Sequence, residues 1–83
     1  MAQSAVIRRN IVESLEATVK RPLEIAGNTK IAADLGLDSL AIMDFIMELE
    51  DRLDLSIPLN RIAEVETIDD LVRTIEELKE DAK

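Results

Sequence analysis

One serine stands out as a position where chemistry could be done. In Asp34-Leu35-Gly36-Leu37-Asp38-Ser39-Leu40, a glycine-containing turn delivers Ser39 to the first turn of a helix, with an acid immediately before it. That places a hydroxyl at the end of a rigid element, where something can be attached to it. The chain itself has little with which to activate the hydroxyl, because it contains no His, Cys or Tyr and so lacks the usual bases and the thiol nucleophile. Ser39 therefore reads as a position that another protein modifies. The plain alternative is that Asp38 and Ser39 only cap a helix, the commonest role for such a pair.

The helix that follows, expected over residues 39–53, carries the second set of candidate residues. On a wheel of ~100° per residue, Asp44, Glu48 and Asp51 fall within roughly 60°. Ile42, Ile46, Leu49 and Leu53 occupy a similar sector on the far side and form the face that must be buried. Leu40 and Met47 fit neither group: they lie about 50–70° from the centre of the acidic stripe, with Met43 next in line. Acids interleaved with apolar side chains that the core does not need make a docking surface, where charge steers a partner and apolar contact holds it. An acidic stripe is more often only a solvated face, and scattered exposed hydrophobes are ordinary.

These residues have to be positioned by the rest of the chain. Ser4 is a candidate N-cap for a first helix running to about Lys20, with Ile7, Ile11, Leu15 and Val19 at four-residue spacing and Val12 on the same face. Lys20, Arg21 and Pro22 close it. A long connection over residues 23–37 follows, anchored by Leu23, Ile25, Ile31 and Leu35; connections of that length are often functional. After residues 54–58, a short third helix is expected within residues 59–65. Thr67 with Asp70 reads as a capping box in which Asp replaces the usual Glu. It opens a last helix over residues 68–79, where Ile68, Leu71, Val72, Ile75 and Leu78 form an i, i+3, i+4, i+7 stripe. Lys83 and its neighbours form a tail. The expectation is an all-α fold: a three-to-four-helix bundle forming one domain over residues 1–83, with a long loop between its first two helices.

Composition narrows the function further. The chain has 83 residues, 47% of them hydrophobic, and Phe45 is its one aromatic. A Leu, Ile, Val and Met core at helical spacing suits a bundle better than a sheet. The absence of cysteine rules out disulfides and cysteine–zinc sites. The net charge of -8 repels nucleic-acid phosphates and anionic membranes and suits partners with basic patches. With no signal-peptide core and no run of transmembrane length, a cytoplasmic chain is expected, without membrane insertion. A calcium-binding helical protein fails on spacing, since Asp34, Gly36 and Asp38 cannot be laid on a loop that needs its glycine at the sixth position.

Taken together, Asp34-Leu35-Gly36-Leu37-Asp38-Ser39-Leu40, with Asp44, Glu50 and Asp51 downstream and Ile57-Pro58 beyond, resembles the acyl carrier protein family over nearly the whole chain. The resemblance implies that Ser39 is esterified through a phosphodiester to 4′-phosphopantetheine, whose thiol carries an acyl group as a thioester. It implies that Asp38 helps a phosphopantetheinyl transferase and its metal ion engage, while the carrier itself binds no metal and catalyses nothing. Leu40, Met43, Asp44, Met47, Glu48 and Asp51 would form the docking face for the transferase (a holo-carrier synthase) and for acyltransferases, synthases or ligases with basic patches. A monomer is expected, and the helices would enclose short acyl chains. The physics agrees, since a phosphodiester anion is favoured at a helix N-terminus by free N–H groups and the helix dipole.

The chain also departs from the family pattern. Leu59-Asn60-Arg61 stands where acids commonly follow Ile-Pro, Glu48 where a small residue is frequent, Ala41 where an acid often follows, and Ile31 where an aromatic is common. These changes spare the attachment motif and alter the recognition surface. They point to a specialised carrier for a modified lipid or polyketide pathway rather than the general carrier of fatty-acid synthesis. Two further readings are a carrier of amino acids or peptides, against which Asp38 argues, and a small acidic helical interaction module whose Ser39 is only a cap.

Overall fold

A computed structural model describes residues 2–20, 22 and 24–81, with side chains from residue 5 to residue 80 within them. Its helices are α1 (Ala2–Val19), α2 (Ser39–Leu53), α3 (Leu59–Ile62) and α4 (Ile68–Asp81). The expected elements are therefore all present. The first begins earlier than its proposed cap: Ser4 lies inside α1, because the helix already starts at Ala2. Leu23, Arg21 and Lys83, to which the sequence assigned anchoring, closing and tail roles, lie outside the described residues.

The core is aliphatic and threaded through by one ring. α1 contributes Ile7, Ile11 and Leu15; α2 contributes Phe45, Ile46 and Leu49; α4 contributes Ile68, Leu71, Val72 and Ile75; all are buried. α1 packs against both α2 and α4. The i, i+4 rows of α1 supply this because residues four apart lie on one side of a helix. Ser14 is also fully buried in α1, with no hydrogen-bond partner for its Oγ among the described residues.

Backbone hydrogen bonds fix the long loop to the start of α4. Ile31 N–H donates to the Glu66 carbonyl (3.0 Å), Ile68 N–H to Thr29 (3.0 Å) and Asp69 N–H to Gly27 (2.9 Å), with Lys30 and Thr67 in an isolated antiparallel bridge. The approach at Gly27 is close: a Cβ there would collide with the Asp69 carboxylate. Arg8 holds that same carboxylate at 2.7 Å. Loops ordinarily satisfy their polar groups with water; this one instead behaves as a fourth wall of the bundle, with Ile31 buried at its centre.

The Thr67–Asp70 box forms as its spacing predicts. Asp70 N–H donates to Thr67 Oγ1 (3.1 Å), and Asp70 Oδ2 accepts from the N–H groups of Thr67 (3.1 Å) and Glu66 (3.2 Å). The backbone bonds from Thr67 and Glu66 hold the Asp70 carboxyl below its ordinary 3.8; desolvation opposes them, and the Thr67 hydroxyl and the Arg73 charge assist. A carboxyl with a depressed folded-state pKa stabilises the fold above its unfolded pKa and loses that contribution as pH falls through the folded value. In thermal melts across pH, Asp70→Asn should accordingly differ most from the wild type near neutrality. The difference should close below about pH 4.

Candidate functional site

Ser39 is the first residue of α2, and everything before it aims the chain into the helix. Asp34 Oδ2 accepts from Lys30 N–H (2.9 Å), and Leu37 N–H donates to the Ala32 carbonyl (3.2 Å), closing residues 30–37 into compact turns. Gly36 sits at φ +68°, a left-handed conformation that costs an L side chain roughly 1 kcal/mol or more. A Cβ there would meet nothing within 4 Å, so it is the backbone, not space, that asks for glycine. Leu35 and Leu37 pack against the core on either side of it and pin the turn down. Asp38 is the N-cap, its Oδ1 accepting from Ala41 N–H at 2.8 Å.

At the head of α2, the carbonyl of Asp38 takes the Ile42 N–H at 2.9 Å and its side chain takes that of Ala41. The N–H groups of Ser39 and Leu40 belong to the first turn, which has no intrahelical acceptor to offer them. Ser39 is exposed. A phosphodiester on its oxygen would therefore meet the positive end of a helix of 15 residues, and the residues present fit such a group.

The remaining candidates lie down the same helix. Leu40 and Met47 are 72% and 60% exposed, and Met43, Asp44 and Asp51 are exposed as well; the accessibility that docking demands is met. Glu48 differs. It is half-buried, and its Oε2 accepts from Arg52 Nε at 3.0 Å. Leu59, one of the departures expected to alter the recognition surface, opens α3 with 65% of its area exposed. Arg61 nearby pairs with Glu77 of α4. Glu50, which entered the sequence reading only as part of a motif, is structural here. Its Oε2 accepts from Ile57 N–H at 2.7 Å and so holds the start of the Ile57-Pro58 turn.

Beneath this surface is a cavity of about 360 Å³, walled by residues 30–33 of the loop, Ile42, Phe45 and Ile46 of α2, residues 62 and 63 at the end of α3, residues 65 and 66 of the α3–α4 connection, and Leu71. The size falls within the range of ligand pockets, roughly 300–1,000 Å³. Its lining is apolar except for Lys30 and Glu66, whose charged ends approach to 3.7 Å. Ile42 comes one turn after Ser39, about 4.5 Å along the axis, so the exposed serine and the apolar space share one end of the bundle. The cavity lining includes three alanines, Ala32, Ala33 and Ala63, and no pattern in the sequence announced it.

An exposed serine stands at a helix head, an acidic and apolar face runs along that helix, and an apolar cavity lies below it. Comparison with known proteins agrees. The family described as "Phosphopantetheine attachment site" matches residues 9–75. A relative from Caulobacter vibrioides, described as a probable acyl carrier protein, is 45% identical over 71 residues, covering 86% of this chain and 83% of its own. The acyl carrier protein of Wolinella succinogenes is 34% identical over 70 residues, covering 84% and 88%. A solved structure from Mycobacterium tuberculosis assigned to the acyl carrier proteins superposes with a TM-score of 0.77 at 26% identity, over 84% of this chain and 95% of that one. The chain belongs to the acyl carrier protein family, whose members carry their cargo on an attached phosphopantetheine.

Proposed function

We propose that Ser39 is the attachment position and that the chain, folded as one carrier domain, presents acyl groups to partner enzymes without catalysing their reactions. The carrying observation is the placement of Ser39: exposed, at the first position of α2, behind a helix-capping aspartate. The attached arm supplies a terminal thiol on which the acyl group is held as a thioester. The chain's own part is to fix the serine at a rigid helix end, to favour the phosphodiester charge through the helix N-terminus, and to offer an apolar space to the cargo. Asp38 divides its carboxylate between two roles, with one oxygen capping Ala41 and the other left to meet the transferase's metal ion.

The surrounding surface fits visiting enzymes with basic patches: the phosphopantetheinyl transferase first, then acyltransferases, synthases or ligases. Leu40, Met43, Asp44, Met47 and Asp51 supply the contact, with Glu48 beside them. The change at Leu59-Asn60-Arg61 supports a specialised carrier, because α3 there presents an apolar side chain and a cation already engaged by Glu77. No helix among the described residues is long and apolar enough to cross a membrane.

Intact mass after incubation with coenzyme A, magnesium and a broad-specificity transferase tests the reading, and peptide mapping of the product places the arm. One added phosphopantetheine on the peptide containing Ser39 is expected. An unchanged mass would leave an acidic interaction module with a capped helix. Asp44→Lys tests the docking face. It should raise the transferase KM roughly tenfold by replacing attraction with repulsion, while the circular dichroism spectrum stays that of the wild type, since an exposed charge swap shifts stability by only about 0.5 kcal/mol.

A further inference from the structure

The acidic stripe on α2 is not uniformly available, and one residue makes the difference. Arg52 reaches Glu48 through Nε at 3.0 Å and Glu13 of α1 through Nη1 at 2.9 Å. Its side chain is 31% exposed, against 43% for Glu48 and 48% for Glu13. A guanidinium is a planar fork with several donors; here it spans two carboxylates on two helices. Single surface ion pairs contribute little and exchange readily, but this cation satisfies two acids at once, so breaking either contact leaves the other in place.

We propose that Arg52 is a specificity-determining residue that masks Glu48 and reduces the charged part of the docking stripe to Asp44 and Asp51. This rests on the carrier reading of Ser39. Asp44 and Asp51 are both exposed, and neither takes part in the Arg52 contacts. Seven residues apart on one helix, they are separated by about 10.5 Å along its axis, with Met47 exposed between them. The partner that fits carries two cationic groups about that far apart with an apolar contact between them. A continuous basic ridge aimed at Glu48 would meet an Arg52 guanidinium instead, and like charge at an interface selects against such a partner.

The test is steady-state modification of the apo chain by a broad-specificity phosphopantetheinyl transferase at low salt, comparing wild type, Arg52→Gln, Glu48→Gln and the double variant. Releasing Glu48 should lower KM about threefold with kcat unchanged, because steering acts on encounter. The gain should disappear in the Arg52→Gln/Glu48→Gln double variant and shrink as salt is raised. An unchanged or higher KM for Arg52→Gln would overturn the proposal. So would an equal gain in the Glu48→Gln background, since net charge alone would then explain it. Failure to modify even the wild type would count against the carrier reading, and this separates the two ideas. Should Arg52→Gln not fold at the assay temperature, Arg52→Met keeps the apolar stem and carries the same comparison.

Discussion

Ser39→Ala should abolish uptake of phosphopantetheine, with no residual mass gain under conditions that modify the wild type completely. The effect is all-or-none because the other serines cannot stand in for it. Ser14 is fully buried in α1. Ser4 is the third residue of α1 rather than its first, with Gln3 and not an acid before it, and Ser56 lies in the α2–α3 connection, where no helix begins at the next residue. The transferase needs an exposed hydroxyl that its own base can deprotonate, so that the oxygen forms a bond to phosphorus as the nucleotide half of coenzyme A departs. The variant should remain folded, since the cap is supplied by Asp38 Oδ1 and not by the serine, and alanine is a good residue for a first helical turn. A second control, Ser56→Ala, should be modified as the wild type is. If Ser39→Ala still gained the arm, the attachment would lie elsewhere and the geometry at the head of α2 would be a cap and no more.

How much of this could be read before the fold was known depends on the range of the interaction. The head of α2 was legible because its signal is local: a glycine for a positive φ, an aspartate for the cap and an apolar run after it all act within a turn. The Thr67–Asp70 box was legible for the same reason. Glu48–Arg52 was within reach as an i, i+4 pair, but Glu13, 39 positions away, turns that pair into a mask, and no sequence spacing announces it. The loop was the hardest case. Its attachment to residues 66–69 runs through backbone groups, which are alike in every residue and leave no pattern in side-chain type. Ser4 misled because a good capping residue can also stand inside a helix when the chain before it is already helical.

Phe45→Ala should be the most damaging single core substitution. Phe45 is the only aromatic in the chain and fully buried. It lies outside the 42, 46, 49, 53 sector and widens the buried face of α2, lining the cavity beside Ile42 and Ile46. Truncating a buried Phe costs about 3–5 kcal/mol. At roughly 0.05–0.15 kcal/mol per residue, a chain of 83 residues has only some 4–12 kcal/mol to lose. One side of the ring already borders the cavity, so part of its packing is absent in the wild type and the lower end of the range applies, about 3 kcal/mol. At about 4–8 °C per kcal/mol for a domain of this size, the melting midpoint should fall by about 12–24 °C.

The same substitution distinguishes a functional cavity from a packing fault. If the apolar space beside Phe45 receives the acyl chain, loading the carrier fills the enlarged cavity of Phe45→Ala and restores part of the lost contact, since buried methylenes contribute about 0.8 kcal/mol each. Acylated Phe45→Ala should then regain more of its melting midpoint than acylated wild type gains, and the difference should grow with chain length until the space is full. Leu40→Ala is the matched control: an exposed position where acyl loading should shift the midpoint as it does in the wild type. Equal shifts in wild type and Phe45→Ala would place the cargo outside the bundle, on the docking face or in solvent. A larger recovery in Phe45→Ala would make the ring the wall that sets how long a chain the carrier can enclose.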